Sequence, residues 1–267
     1  MEMKKCSVVL LAMLLSCFSV WAQSEGEQPT VASERATMFA IGAANVLDTY
    51  LSAEEYSGAE LRFLSQRRKP LRRSWMRSVT HQGRVSLLSN RADNHDELGA
   101  MYQLQCAWRK VWQLHERWQC EAGGGIGAQL GFLYNTLGGN NPAQARVALH
   151  VMPSAAVSYD FSLFKRSSVL RYEASVPLVG LMFSPNYGQS YYEIFGRGNY
   201  DHNIVPTTIV STPSLCHALT LDIALSKRKP NWRLRIGYLG DYQQARVNNL
   251  KYHHYSHMLV LGWTKRL

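Results

Sequence analysis

Leu219, Leu221, Ile223 and Leu225 alternate with Thr220, Asp222, Ala224 and Ser226, and after a short break Trp232, Leu234, Ile236 and Tyr238 alternate with Arg233, Arg235, Gly237 and Leu239. A period of two puts one set of side chains on each face of a strand. The interleaved set contains Arg and Asp, which a dry core does not accept unpaired. The chain therefore has to fold so that one strand face is apolar and the other polar, strand after strand. That requirement, together with an export signal, points to an antiparallel barrel in an outer membrane.

The start of the chain supplies the signal. Lys4 and Lys5 precede an apolar run from Val8 to Trp21, and Val20-Trp21-Ala22 offers small residues for cleavage after Ala22. This run is shorter than a membrane-spanning helix, and no later segment matches its length without charges. A second reading takes Leu15-Ser16-Cys17 as a lipoprotein site, but it leaves Phe18–Trp21 as an apolar start to the mature chain. Residues 1–22 are thus expected to be removed, residues 23–35 to form a polar periplasmic lead-in, and residues 36–267 to form one barrel domain.

Ten strands are expected, with a range of 8 to 12 for a chain of this length. They span about 36–46, 58–65, 75–89, 98–109, 118–134, 147–160, 170–178, 219–225, 232–239 and 252–267. Pro153 and Pro177 call for bulges or strand ends, because a closed barrel has no free edge. Gly123–Gly127 is expected to bend the fifth strand or to let it pass a bulky lumen group. Connections after even-numbered strands are compact and basic, and those after odd-numbered strands are longer or richer in polar and turn residues. With both termini periplasmic, the external loops would be 48–57, 90–97, 135–144, 184–213 and 243–250. The chain closes on Leu259, Leu261, Trp263 and Leu267, an apolar terminal strand of the kind read by barrel-assembly machinery. Lys265 stands where an aromatic residue is usual.

The formal charge is +10. Such a balance often marks nucleic-acid binding. Here the basic residues gather in short turns (Arg67-Arg68-Lys69, Arg72-Arg73, Lys165-Arg166, Lys227-Arg228-Lys229), where they suit anionic lipid headgroups, so no nucleic-acid partner is expected. Outer-membrane lipid and lipopolysaccharide are the expected partners. A soluble periplasmic sandwich is the structural rival, since alternating strands build those too; the long apolar face with aromatic ends fits lipid better.

The stretch Phe183-Ser184-Pro185-Asn186-Tyr187-Gly188-Gln189-Ser190-Tyr191-Tyr192-Glu193-Ile194-Phe195, followed by Gly198-Asn199-Tyr200-Asp201-His202-Asn203, resembles an uncharacterised family of exported proteins from Bacteroides-like Gram-negative bacteria. Asp48-Thr49-Tyr50-Leu51-Ser52 with Glu55-Tyr56-Ser57-Gly58 resembles it too. The resemblance covers nearly all of the mature chain. It implies an outer-membrane barrel and no particular activity, substrate or catalytic residue.

Several constellations carry chemistry. Cys106, Cys120 and Cys216 remain after cleavage; a hairpin centred on Gln113 would bring the first two face to face, as a bridge or as two small lipid-facing residues. No Cys/His spacing suggests a metal site, and no cofactor is expected. His254 and Ser256 share a strand face, as in the His-x-Ser dyad of outer-membrane lipid A deacylases, with Glu173 or Asp222 as the orienting carboxylate. His253 and His257 flank the pair, so a simple polar rim is the alternative. Asp93, His95 and Asp96 in one loop and Asp201-His202 in another would meet across the mouth in a rim protease, activating water by general-base chemistry. The aromatics Tyr187, Tyr191, Tyr192, Phe195 and Tyr200 suit either a loop that plugs or binds at the mouth or an interfacial girdle; Gly188, Gly196 and Gly198 would let that loop turn sharply. In the lumen, Arg171, Glu173, Asp222, Arg233 and Arg235 are expected to form a charged network between the seventh, eighth and ninth strands. A non-enzymatic barrel with a structural, envelope or loop-binding role is the leading expectation.

Overall fold

A computed structural model of the chain describes residues 32–72, 74–137, 141–226 and 231–267. The signal segment, the lipoprotein alternative, most of the lead-in, Arg73 and the Lys227-Arg228-Lys229 turn lie outside these residues.

Twelve strands are present among the described residues: β1 (Glu34–Asp48), β2 (Tyr56–Pro70), β3 (Trp75–Asn90), β4 (Asp96–His115), β5 (Trp118–Asn135), β6 (Ala143–Leu163), β7 (Arg166–Ser175), β8 (Val179–Phe183), β9 (Ile204–Thr208), β10 (Leu215–Ala224), β11 (Trp232–Val247) and β12 (Leu250–Arg266). They occupy ten positions around a closed antiparallel barrel. β1 pairs with β12, from Glu34↔Arg266 to Asp48↔Tyr252, and the circuit closes through β5–β6. β7 and β8 follow each other along β6: Ser154↔Ser175 belongs to one and Val151↔Val179 to the other. Pro177 occupies the join, between Val176, whose N–H donates to the Pro153 carbonyl, and Leu178, whose N–H donates to the Val151 carbonyl. The two prolines singled out as misfits thus sit together at a strand break, where a missing N–H is harmless. β9 and β10 share the eighth position in the same broken way.

Alternation does what the pattern requires. Ile41, Leu61, Leu87, Leu130, Leu149 and Leu259 point outward, each about half or more exposed, while Glu60, Arg62, Arg109, Glu121, Asp241 and Ser256 are buried inside. An apolar outside and a charged inside is the reverse of a water-soluble domain, and it removes the sandwich alternative.

Three connections differ from expectation. The longest runs from 184 to 203, not to 213, because Ile204–Thr208 turns back and pairs with Val179–Phe183. Residues 243–250 are strand apart from the two-residue turn Asn248-Asn249, both at positive φ (52° and 62°), which matches the twist of the flanking strands. The hairpin between β4 and β5 turns at Glu116-Arg117, so Cys106 lies opposite Ile126 and Cys120 opposite Trp112, and the two cysteines do not face each other. Equal spacing from Gln113 did not make it the turn. At Gly125 a Cβ would lie 2.1 Å from the Cys106 carbonyl oxygen, so the glycine run of β5 serves a close approach to β4.

Candidate functional site: the filled lumen and its sealed end

Side chains from all parts of the wall fill the lumen in three layers. Nearest the chain termini, Glu121 on β5 faces three guanidinium groups. Arg171 donates to both its carboxylate oxygens (2.8 and 3.0 Å), Arg68 bonds it, and Arg109 Nε lies 3.4 Å away. Glu173 takes Arg109 (2.9 Å) and Arg171 (3.2 Å). Arg235 pairs with Asp222 (2.7 Å) and Glu34 (2.9 Å), and Arg68 approaches Glu34. Arg171, Glu173, Asp222 and Arg235 therefore all have ion-pair partners. Arg233 does not join them and donates instead to Ser167 Oγ at 3.1 Å. The expected network was too small, because Glu34, Arg68, Arg109 and Glu121 come from strands far away in sequence. Alternation marks those residues as inward-facing but not as mutual neighbours.

The middle layer contains the dyad candidates. His254 and Ser256 are both fully buried, at 1% and 0% exposure. His254 Nε2 lies 2.7 Å from Glu60 Oε2, so its carboxylate neighbour is neither Glu173 nor Asp222. Ser256 Oγ accepts from Arg62, which also pairs with Glu60 and, at 2.8 Å, with Asp241. Arg84 reaches the same Asp241 oxygen at 3.3 Å. His254 makes no hydrogen bond to Ser256. A nucleophile must be deprotonated by its base and reached by its substrate; this hydroxyl is capped by a cation and faces the interior, away from lipid. The pair is part of a buried ion cluster.

The third layer seals the end opposite the termini. Val46, Tyr56, Leu88, Leu133, Met182 and Tyr252 pack into an apolar cluster with Leu51 and Val205 against it. Over it lies the connection 184–203. Gln189 organises this loop: its Oε1 accepts from Asn186 N–H and Asn203 Nδ2, and its Nε2 donates to the Asn199 carbonyl. Ile194, in a single π-helical turn (Tyr192–Gly196), is fully buried. The loop is pinned on three sides. Tyr50 donates to the Gln189 carbonyl, Asn248 donates to the Ser184 and His202 carbonyls, and Tyr191 donates to Gln144 Oε1 while accepting from Ala145 N–H. Burial pushes the Tyr191 phenol up to about 12, so it stays a donor at any physiological pH. Tyr191 is the cluster's anchor; Tyr187, Tyr192, Phe195 and Tyr200 remain exposed, with Phe195 continuing the ring stack through Phe183 at 6.2 Å.

The rim-protease residues belong to separate hydrogen-bond sets. Asp201 and His202 bond each other at an exposed tip, and their carbonyls accept from Asn186 and Asn248. Asp96 accepts from Ser89 Oγ and its N–H donates to Thr136. No hydrogen bond joins the 91–95 loop to the 184–203 loop among the described residues.

The loop also carries a built-in acid sensitivity. Glu193 accepts from the Ser190 N–H and hydroxyl, which holds its carboxyl below the ordinary range. A depressed pKa stabilises the loop above the unfolded value, near 4.3, and that support is lost as pH falls through the folded value. At neutral pH, tryptic cleavage after Arg197 in this loop is expected to be faster in Glu193→Gln than in wild type, and hydrogen exchange of the loop amides, corrected for its intrinsic pH dependence, is expected to accelerate in wild type as pH falls below about 4.5. Equal cleavage of wild type and variant at neutral pH would show that the cap does not order the loop.

The profile of a protein family described as "Protein of unknown function (DUF3316)" matches residues 7–267. No curated protein matches the chain. Among solved structures, the outer membrane protease OmpT from Escherichia coli is similar at 5% identity with a TM-score of 0.50, covering 92% of this chain and 100% of that one. The translocator domain of autotransporter NalP from Neisseria meningitidis aligns at 9% identity and a TM-score of 0.40, over 100% and 98% of the two chains. The attachment invasion locus protein Ail of Yersinia pestis aligns at 10% and 0.35, over 88% and 99%. The likeness to the first is one of fold: an outer-membrane β-barrel.

Proposed function

The chain belongs to the DUF3316 family of proteins of unknown function, and from that premise we propose that it is an outer-membrane barrel that neither conducts nor hydrolyses and acts through the surface its loops present. A cleaved signal peptide over residues 1–22 exports it from a Bacteroides-like Gram-negative cell, and the barrel-assembly machinery inserts it with both termini in the periplasm. The long connection 184–203 then faces outward, and lipopolysaccharide and phospholipid surround the apolar belt.

The observation that carries this reading is the closed lumen: two layers of buried ion pairs beneath an apolar cluster, roofed by a loop tied down on three sides. Small barrels are filled by their own side chains, and a filled barrel passes no ions. With Ser256 capped by Arg62, the remaining chemical surface is the exposed set Tyr187, Tyr192, Phe195 and Tyr200, amphipathic rings suited to an interface or to a ligand's apolar face.

Refolded protein in a planar bilayer is expected to give no discrete conductance steps, and Tyr191→Phe, which removes the donor to Gln144, is expected to leave that silence intact while loosening the loop by about 1 kcal/mol. Reproducible single-channel steps from the wild type would overturn the reading.

A further inference from the structure

The barrel wall is incomplete at one place. The β10–β11 ladder stops at Leu215↔Tyr242, and β9 pairs with β8 alone, so β9 and the last third of β11 face each other without a ladder. Between Ser175↔Cys216 and Val179↔Thr208, one chain uses three residues (176–178) and the other seven (209–215). The surplus loops out, held to β11 by Arg246 N–H on the Ser211 carbonyl and Gln244 N–H on Ser214 Oγ. Its tip residues Ile209 and Val210 are exposed. The bonds of Ser184 N–H to Asn203 O and Ile209 N–H to Leu178 O make alternate residues face β8, which turns Pro206 toward the gap. A proline there cannot donate to a closing ladder.

A cavity of about 60 Å³ opens at this level. Its lining includes inward-facing Cys216 and Gln243 together with Ser214, Leu215 and Gln244 at the edge of the gap, so it lies against the incomplete part of the wall. Two buried polar groups on its inner wall lack partners among the described residues: Arg146 at Nε and Nη2, and Tyr252 at its hydroxyl. Each side chain is only 5% exposed. Arg146 has one distant carboxylate, Asp48 at 3.6 Å, and lies 3.4 Å over the Tyr252 ring. A buried cation and a hydroxyl among the lining residues, with donors to spare, suit an acceptor-rich ligand, since an unmet buried donor is costly. Ala148, Met152 and Met182 supply an apolar wall between those donors and the portal.

We propose that this gap is a lateral portal from the bilayer and that the cavity binds the head of a carboxylate-bearing amphiphile, carboxylate on Arg146 and Tyr252, tail leaving between β9 and β11 toward lipid. The cavity volume suits the head and first few carbons, not a whole chain. Loading occurs from the membrane, because ion pairs fill the terminal side and the apolar cluster closes the other. This rests on the barrel being membrane-embedded.

The test uses the full mature chain in lipid nanodiscs, with octanoate as probe and octanol as its uncharged counterpart. Octanoate is expected to bind saturably at one per barrel and about tenfold tighter than octanol. Arg146→Gln should erase that preference, and Ala148→Phe, which fills the cavity, should remove binding of both. A heat-dependent gel shift on each sample reports separately that the barrel is folded. A folded barrel with no saturable octanoate binding, with equal affinity for the two probes, or with binding untouched by both substitutions overturns the site. No heat shift in the wild type overturns the barrel reading itself, and the portal with it.

Discussion

Glu121→Gln is expected to be among the most damaging single substitutions in this chain, lowering barrel stability by about 3–5 kcal/mol. The carboxylate is fully buried and Arg68, Arg109 and Arg171 all converge on it. Replacing it with a neutral amide leaves three buried guanidinium groups to share Glu34 and the partly exposed Glu173. The loss of one partner from a buried ion cluster is costly because the remaining charge keeps its desolvation penalty without its compensation. Arg171→Ala acts in the same direction, taking one cation from Glu121 and Glu173 together. Asp222→Ala is milder, since Arg235 retains Glu34 at 2.9 Å. Urea titration of the heat-modifiable form in micelles measures all three. A Glu121→Gln midpoint within about 0.5 kcal/mol of wild type would show that the layer is not the cohesive element argued here.

The second large effect is expected at Arg62. It is the single cation that touches Glu60, Asp241 and Ser256 at once. Arg62→Met removes the charge while keeping much of the volume, leaving two buried carboxylates with only Arg84 and His254 nearby; a loss of about 3–5 kcal/mol follows. Ser256→Ala removes one neutral acceptor and is expected to cost about 1 kcal/mol. This contrast separates a structural from a catalytic serine. A catalytic Ser256 would give a stable but inactive Ser256→Ala, with lipid A or phospholipid acylation changed only by the wild type. Identical lipid profiles for wild type, variant and empty strain, with the stability order Arg62→Met well below Ser256→Ala, are the outcome expected here. A double-mutant cycle between Arg62 and Asp241 should show coupling of more than about 1 kcal/mol, as fits contacting charges.

Much of this architecture was legible in the chain. The period-two pattern placed each of the ten strand positions, because in a barrel every strand must obey it and a one-residue slip would turn its charges toward lipid. The charged residues on the inner phase, Arg171, Glu173, Asp222 and Arg235 among them, were readable for the same reason. Their partners were not. Glu121 meets Arg68 across 53 positions and Arg235 meets Glu34 across 201, distances that follow from closing the sheet and have no local signature. The signal that would have found them is the count of acidic residues on the inner phase of β1 and β5, Glu34 and Glu121, which had to be neutralised somewhere.

The strand break was half visible. Pro153 and Pro177 announced an irregularity, but the same residues allow a strand end or a bulge, and only the register with β6 selects the strand end between β7 and β8. The His254–Ser256 spacing illustrates the limit from the other side: alternation correctly puts both side chains on the inner face, yet whether they act on each other depends on Glu60 and Arg62, delivered by a strand nearly two hundred residues earlier. By itself the sequence determined which face of each strand meets lipid, because that choice is local and has period two. Only the tertiary structure decided which charges meet, which end is sealed and where the wall parts, because those follow from shear and closure of the whole sheet, to which no single strand holds the key.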